Sequence, residues 1–216
     1  MLFQKYAGTH MLRRTLGMLA SVFLMGATLS VLIWTNLGTD PCTCMNLGIS
    51  GVTHISFGTC QLGMNLLMLI VVLACNRRMI GLGTLGNMVL VGYVSDFFTW
   101  IWSQCLPPSS EWGLALRLIV MVPVLILFVA AAAAYMTANL GMAPYDCIPF
   151  LIVNRWRKLP FFAVRVTWDA LAILTGFLLG STVGVVTVLI ALAIGPVVAW
   201  LGKFFAKYLY KIDSIA

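Results

Sequence analysis

Arg165 and Asp169 lie four residues apart in FAVRVTWDALAILTGFLLG, a stretch that carries no other charge. On a helix that spacing sets both side chains on one face, where they pair with each other or present a cation and an anion together. Ionisable groups inside apolar sequence are expensive and are therefore candidates for function. Read as a binding site, Arg165 offers a guanidinium to an anion or carboxylate, and Asp169 offers an acceptor to a cation, a proton or an amine. Read as structure, the pair is an intrahelical salt bridge, or Arg165 snorkels to the nearer membrane edge. Gln61 and Asn65 repeat the i, i+4 spacing as neutral amides in GTCQLGMNLLMLIVVLAC. Asp40 and Asp146 complete the candidate set, each beside a break in an apolar run. Asp96, in GYVSDFFTWIW with Trp100 and Trp102 close by, reads as a wetted rim residue in an aromatic interface belt.

Other chemistry has no support in the residues. There is no G-x-S-x-G elbow, H-E-x-x-H pair, P-loop or dinucleotide fingerprint, so an enzyme is not expected, nor is a cofactor. His10 and His54 have no ligand partners at helical spacing, and the six cysteines lack the Cys/His pattern of a metal site. Cys42 and Cys44, one residue apart, point to different sides of a helix and make a poor dithiol. The net charge of +7 does not come from a basic patch with interleaved aromatics, which argues against nucleic acid.

The elements that must position these residues are membrane helices. With 62% hydrophobic and 9% charged residues, the chain has too little polar surface for a soluble exterior. Apolar segments recur to the C-terminus, unlike a single cleaved signal. Six stretches reach the length of about 20 residues that a bilayer requires: 14–35, 58–75, 79–104, 116–138, 161–179 and 183–202. Lys5, Arg13, Arg14, Arg77, Arg78, Arg155, Arg157, Lys158, Lys203, Lys207 and Lys211 then fall on one face, the cytoplasmic one by the positive-inside rule. An eight-span alternative would put Arg77 and Arg78 outside, and its two extra helices of about 12 residues would rise only about 18 Å.

The segments NLGTDPCTCM (36–45) and NLGMAPYDCI (139–148) match at a shift of 103 residues, and so do Gly81 with Gly184, Thr84 with Thr187 and Gly92 with Gly195. A shift of 104 lays Gln61 and Asn65 on Arg165 and Asp169. The chain therefore reads as a duplication whose halves hold three spans each, an odd number that gives the second copy opposite topology. In each copy Asn36-Leu-Gly38 or Asn139-Leu-Gly141 closes a span, with the glycine free to turn left-handed. A short helix follows. Asp40 and Pro41 form a carboxylate N-cap and a first-position proline, and Pro144 starts the second copy with Asp146 in its first turn. The sequence leaves open whether these helices lie at an interface or dip into the membrane.

The expected fold is thus an all-α polytopic membrane protein with a 3+3 inverted-topology repeat and a short extra helix after each NLG break. Its parts are a cytoplasmic N-terminus (1–13), a first repeat (14–104), an extracytoplasmic linker (105–115), a second repeat (116–204) and a cytoplasmic tail (205–216). Glycines at 81, 83, 86, 92, 184 and 195, with Pro196, mark spans three and six as a close-packed, moving core.

NLGMAPYDC, PFFAVRVTWDALAILTGFLLG and VGVVTVLIALAIGPVVAWL resemble the second half of the YczE/YyaS/YitT group of bacterial integral membrane proteins. The resemblance runs from the Arg14 region to about Phe205. It implies a bacterial plasma-membrane protein of transporter-like type and carries no settled substrate. The first half departs from the second by holding Gln61 and Asn65 in place of the charged pair, which speaks against two equivalent sites.

The expected function is alternating-access transport of a small polar or ionic solute, bound between the halves near Asp40, Gln61, Asn65, Asp146, Arg165 and Asp169. The alternatives are a non-transporting scaffold or accessory protein, and a binding subunit energised by a separate ATPase. The expected partners are the lipid bilayer and the solute. A homodimer is allowed.

Overall fold

The computed structural model describes residues 11–210, apart from the side chains of Ala193 and Ile194; Lys5, His10 and Lys211 lie outside the described residues. The described chain is helical without a strand. Its α-helices are α1 (Met11–Thr35), α2 (Pro41–Thr53), α3 (Phe57–Asn76), α4 (Leu82–Gly86), α5 (Gly92–Cys105), α6 (Leu114–Thr137), α7 (Pro144–Arg155), α8 (Phe161–Leu178) and α9 (Val185–Tyr208). A 3₁₀ turn at Arg77–Met79 follows α3, a π turn at Asn87–Val91 joins α4 to α5, and a 3₁₀ turn at Ser109–Glu111 precedes α6.

Four helical stretches are single runs long and apolar enough to cross a bilayer: Met11–Thr35, Phe57–Met79, Leu114–Thr137 and Phe161–Leu178. The other two stretches expected to span are not single runs of that kind; the bent α9 would make a fifth crossing if its two pieces act as one. From Leu82 to Cys105 the backbone stays right-handed through the π turn, with Gly86 at φ −58°, ψ −49° and Val91 at φ −57°, ψ −48°. In α9 the pieces Val185–Leu192 and Gly195–Tyr208 meet at 61°, next to Pro196, whose ring removes a backbone donor. Leu12, Leu67, Ile119, Ile126 and Phe177 are all more than 60% exposed, a surface suited to hydrocarbon and not to water. The protein is a membrane-embedded helical protein.

α1 and α6 pack together at the centre. Met18, Val22, Leu29 and Leu32 meet Phe128 and Tyr135, while the buried run Ala131–Ala134 keeps the surface of α6 low. Small residues of this kind let backbones approach where lipid removes the hydrophobic drive for helix association. Buried Arg14 on α1 donates from Nε and Nη2 to the Ala138 carbonyl at 3.0 and 2.8 Å, and from Nη2 to Asn139 at 3.1 Å. It thereby satisfies carbonyls left open at the end of α6. Arg14 is thus a cap inside the fold as well as one of the basic residues near its end.

The two breaks have the same build. Asn36 and Asn139 are left-handed at φ 52° and 53°, and Gly38 and Gly141 follow at φ 103° and 112°. Asparagine supplies the first left-handed position in each copy, where the spacing had pointed only to glycine. Each break then docks on the start of the last long helix of the other half. A Cβ on Gly38 would lie 2.5 Å from Thr187 Oγ1, and one on Gly141 would lie 2.5 Å from Gly81 N and 2.6 Å from Thr84 Oγ1. Gly83 N donates to Leu140 O at 2.8 Å, while Thr84 and Thr187, both fully buried, accept from Gly81 N and Gly184 N. Gly81 and Gly184 are small because Leu140 O and Leu37 O occupy the space a Cβ would need.

The short helices have 13 and 12 residues, too few to cross a core about 30 Å thick. Asp40 caps α2, accepting from Thr43 N at 3.1 Å, with Pro41 at the first position. α7 starts at Pro144 after Ala143, which has no side-chain cap. In both, the N-terminal end is buried (Cys44 and Asn46; Tyr145 and Cys147) and the C-terminal end surfaces (Val52; Trp156). Each therefore dips N-terminal end first into the protein. α2 packs on α8, and α7 packs on α3, so each short helix serves the opposite half.

Candidate functional site

The buried ends of α2 and α7 open on a common cavity of about 570 Å³. Its wall is contributed by positions that correspond at the 103- or 104-residue shift: Met25 and Phe128, Leu29 and Ala132, Asp40 and Ala143, Cys42 and Tyr145, Thr43 and Asp146, Gln61 and Arg165, Asn87 and Ile190. The two copies supply the same places and different chemistry. The first side sets Asp40 and the amides of Gln61, Asn65 and Asn87 among apolar residues, and the second sets Arg165 and Asp146 among aromatic and aliphatic ones, with Phe150, Phe161 and Phe162 near the Arg165 end.

On the second side, Arg165 Nη1 donates to Asp146 Oδ1 at 2.7 Å and Arg165 Nε to Asp169 Oδ2 at 2.9 Å. Tyr145 Oη donates to the other oxygen, Asp169 Oδ1, at 2.8 Å, and the guanidinium carbon lies 5.6 Å from the Tyr145 ring centroid. Arg165 therefore turns inward instead of snorkelling. It bonds within its own helix, as the i, i+4 spacing predicts, and also across to α7. Asp169 is 1% exposed and stands behind the cavity wall, holding Arg165 and Tyr145 in place.

On the first side, Asn65 Nδ2 donates to the Gln61 carbonyl at 3.0 Å, which fixes the amide with its oxygen free. Asn65 Oδ1 and Gln61 Oε1 are buried without a hydrogen-bond partner, although both residues line the cavity. A buried polar atom left unpaired is costly; these two lie one turn apart on α3, enclosed in the packing behind the cavity surface. Asn87 joins them from the first position of the π turn. Turns of this type are uncommon and often mark functional sites.

The structure thus gathers Asp40, Pro41, Gln61, Asn65, Asp146 and Arg165 around one space, with Asp169 behind them. Asn36, Gly38, Asn139, Gly141 and Pro144 stay outside the wall and shape the breaks. Asn87, Tyr135 and Tyr145 were not singled out in the sequence. Asn87 is a polar residue within an apolar span and was open to the same reasoning as Gln61. Tyr145 gave no signal, since its partner Asp169 lies 24 residues away. Asp96 has a partner that the sequence did not show: its Oδ2 accepts from Gly58 N at 2.9 Å and caps the start of α3. Among the described residues no three His, Cys, Asp or Glu side chains form a metal-sized group.

A family model described as a family of unknown function (DUF6198) matches residues 12–203, and the chain belongs to that family. It is similar to an uncharacterised protein of Haemophilus influenzae, 29% identical over 198 residues that cover 92% of this chain and 85% of the relative. No solved structure matches.

Proposed function

We propose that this DUF6198 protein is a small-solute transporter of a bacterial plasma membrane, working by alternating access between two inverted three-span repeats. The observation that carries the reading is the shared cavity, into which the buried N-terminal ends of α2 and α7 both point from equivalent positions of the two copies. Short helices that end at a central site between repeats are a recurrent plan of secondary transporters. The reciprocal docking of each NLG break on the opposite half gives a joint that can exchange between two equivalent arrangements. The π turn and the 61° bend of α9 add points where backbone hydrogen bonds are already relaxed. In this reading the basic residues face the cytoplasm with both termini, and the chain performs no catalysis.

The test is flux in proteoliposomes of solutes first found by thermal shift of the detergent-purified protein, with Arg165→Ala and Asp169→Asn in parallel. Flux lost in folded variants is the expected result. Unchanged flux in both would sink the proposal. A stable partner recovered in mild detergent, without any solute-induced shift, would replace it with the scaffold reading.

A further inference from the structure

We infer that the structure is one of two gating states, with the first half shut where α3 meets α5 and the second half open where α8 faces α9, and that these two contacts exchange. The exchange rests on the transport reading and assigns its gates to named residues.

The two copies differ at matched positions. Gly58 and Gly92 are buried against each other: a Cβ on Gly92 would lie 2.7 Å from Gly58 Cα, and one on Gly58 would lie 2.8 Å from Gly92 C. Small residues of this kind let two helix backbones touch. Asp96 Oδ2 accepts from Gly58 N at 2.9 Å, which fastens the start of α3 to α5. The shift of 104 residues carries Gly58 to Phe162, and the shift of 103 carries Gly92 to Gly195 and Asp96 to Ala199. There the contact is missing. Among the described residues nothing lies within 4 Å of where a Gly195 Cβ would stand, and Phe162 is 64% exposed. α8 starts after Pro160 without a side-chain cap.

The cavity follows the same asymmetry. Phe162, Gly195, Pro196, Val198 and Ala199 line it, while their counterparts Gly58, Gly92, Tyr93, Ser95 and Asp96 do not. The backbone is interrupted just before each contact, by the π turn Asn87–Val91 ahead of Gly92 and by the 61° bend of α9 at Gly195. Each interruption is a hinge at the point where its helix must swing against α3 or α8. Arg157 and Lys158 precede α8, and Lys203 lies one turn beyond Ala199, so the open end is the basic one, the cytoplasmic end in the six-span orientation. Inverted repeats held in two different conformations open a central site to one side, and swapping the conformations opens it to the other.

Ser95 and Val198 occupy matched positions and report the two gates: Ser95 is fully buried, and Val198 lines the cavity. Ser95→Cys and Val198→Cys, made separately in the full-length detergent-purified protein, are labelled with N-ethylmaleimide, and the rate at each cysteine is read by peptide mass spectrometry. Exposed Cys75 is the positive reference, and labelling of Cys44 or Cys147, both fully buried, reports unfolding. The thiol at 198 is expected to react at least about tenfold faster than the thiol at 95, in keeping with a minor second state. Asp96→Ala cuts the tie to Gly58, and Gly92→Leu wedges α3 from α5. Either is expected to raise labelling at 95 about tenfold or more and to lower it at 198 about twofold, as a shift in population requires. Asp96→Ala decides where Gly92→Leu unfolds. Equal rates at the two sites before either change, a rise at 95 without the fall at 198, or no change at either site in Asp96→Ala would each overturn the exchange. No solute enters the experiment, so the two readings fail separately. Reciprocal labelling in a protein that carries no solute overturns transport and leaves the exchange standing. Labelling without reciprocity in a protein that does carry one overturns the exchange and leaves transport standing.

Discussion

Arg165 Nη1 on α8 stands 2.7 Å from Asp146 Oδ1 in the first turn of α7, so a single guanidinium ties two helices of the second half while it also holds Asp169 on its own helix. The two carboxylates differ in burial: the Asp169 side chain is 1% exposed and that of Asp146 is 23% exposed. Breaking a buried pair from one side leaves an uncompensated charge at a cost of about 3 kcal/mol, while a partly exposed pair is worth about 1 kcal/mol or less. Arg165→Gln is therefore expected to lower thermal stability in detergent well beyond Asp146→Asn. Equal losses would show that the network does not depend on the buried partner.

The NLG breaks make a prediction from backbone alone. At Gly141, φ is 112° and an added Cβ would sit 2.5 Å from Gly81 N. Gly141→Ala is expected to cost at least about 2 kcal/mol, because left-handed backbone and a clash with main chain add together. Gly63, exposed on α3 with open space around it, is the control. Gly63→Ala should be neutral or stabilising by about 0.5 kcal/mol, since mid-helix glycine costs chain entropy. Melting temperatures that fall together would mean the breaks are not held in this geometry.

Much of this was readable because segments that match at a shift of 103 residues write the same local physics twice. The shift of 103 residues lays Gly81 on Gly184 and Thr84 on Thr187, and these are the residues that receive the opposite break. The i, i+4 spacing of Arg165 and Asp169 foretold their bond. Periodicity cannot reach contacts between elements: Arg165 with Asp146, Tyr145 with Asp169, and Asp96 with Gly58 each join different helices. The stretches 79–104 and 183–202 looked continuous by composition, yet a π turn and a bend interrupt them, because hydropathy is blind to backbone geometry.

The orientation expected from the basic residues is open to a direct check. In the six-span arrangement the linker 105–115 lies outside the cell, and the connection holding Arg157 and Lys158 lies inside. Alkaline phosphatase fused after Ser109 in a bacterial host is expected to be active, and the same reporter fused after Lys158 inactive. If α2 and α7 crossed the bilayer as well, the linker would turn inward and the first fusion would be silent.

Asp40 has two tasks that mutation can separate. As N-cap of α2 it accepts from Thr43 N at 3.1 Å; as a cavity residue it presents a carboxylate that takes part in no ion pair among the described residues. Asparagine caps about as well as aspartate, and alanine does not cap, at a loss of about 1 kcal/mol. Asp40→Ala should therefore lower thermal stability by roughly that amount, while Asp40→Asn should fold with a stability within about 0.5 kcal/mol of the parent. The buried start of α2 packs against α8, so a lost cap also loosens the wall that carries Arg165. Asp40→Asn spares that wall and removes only the charge. If instead Asp40→Asn melts as early as Asp40→Ala, the carboxylate's charge, and not its cap, holds the start of α2 in place.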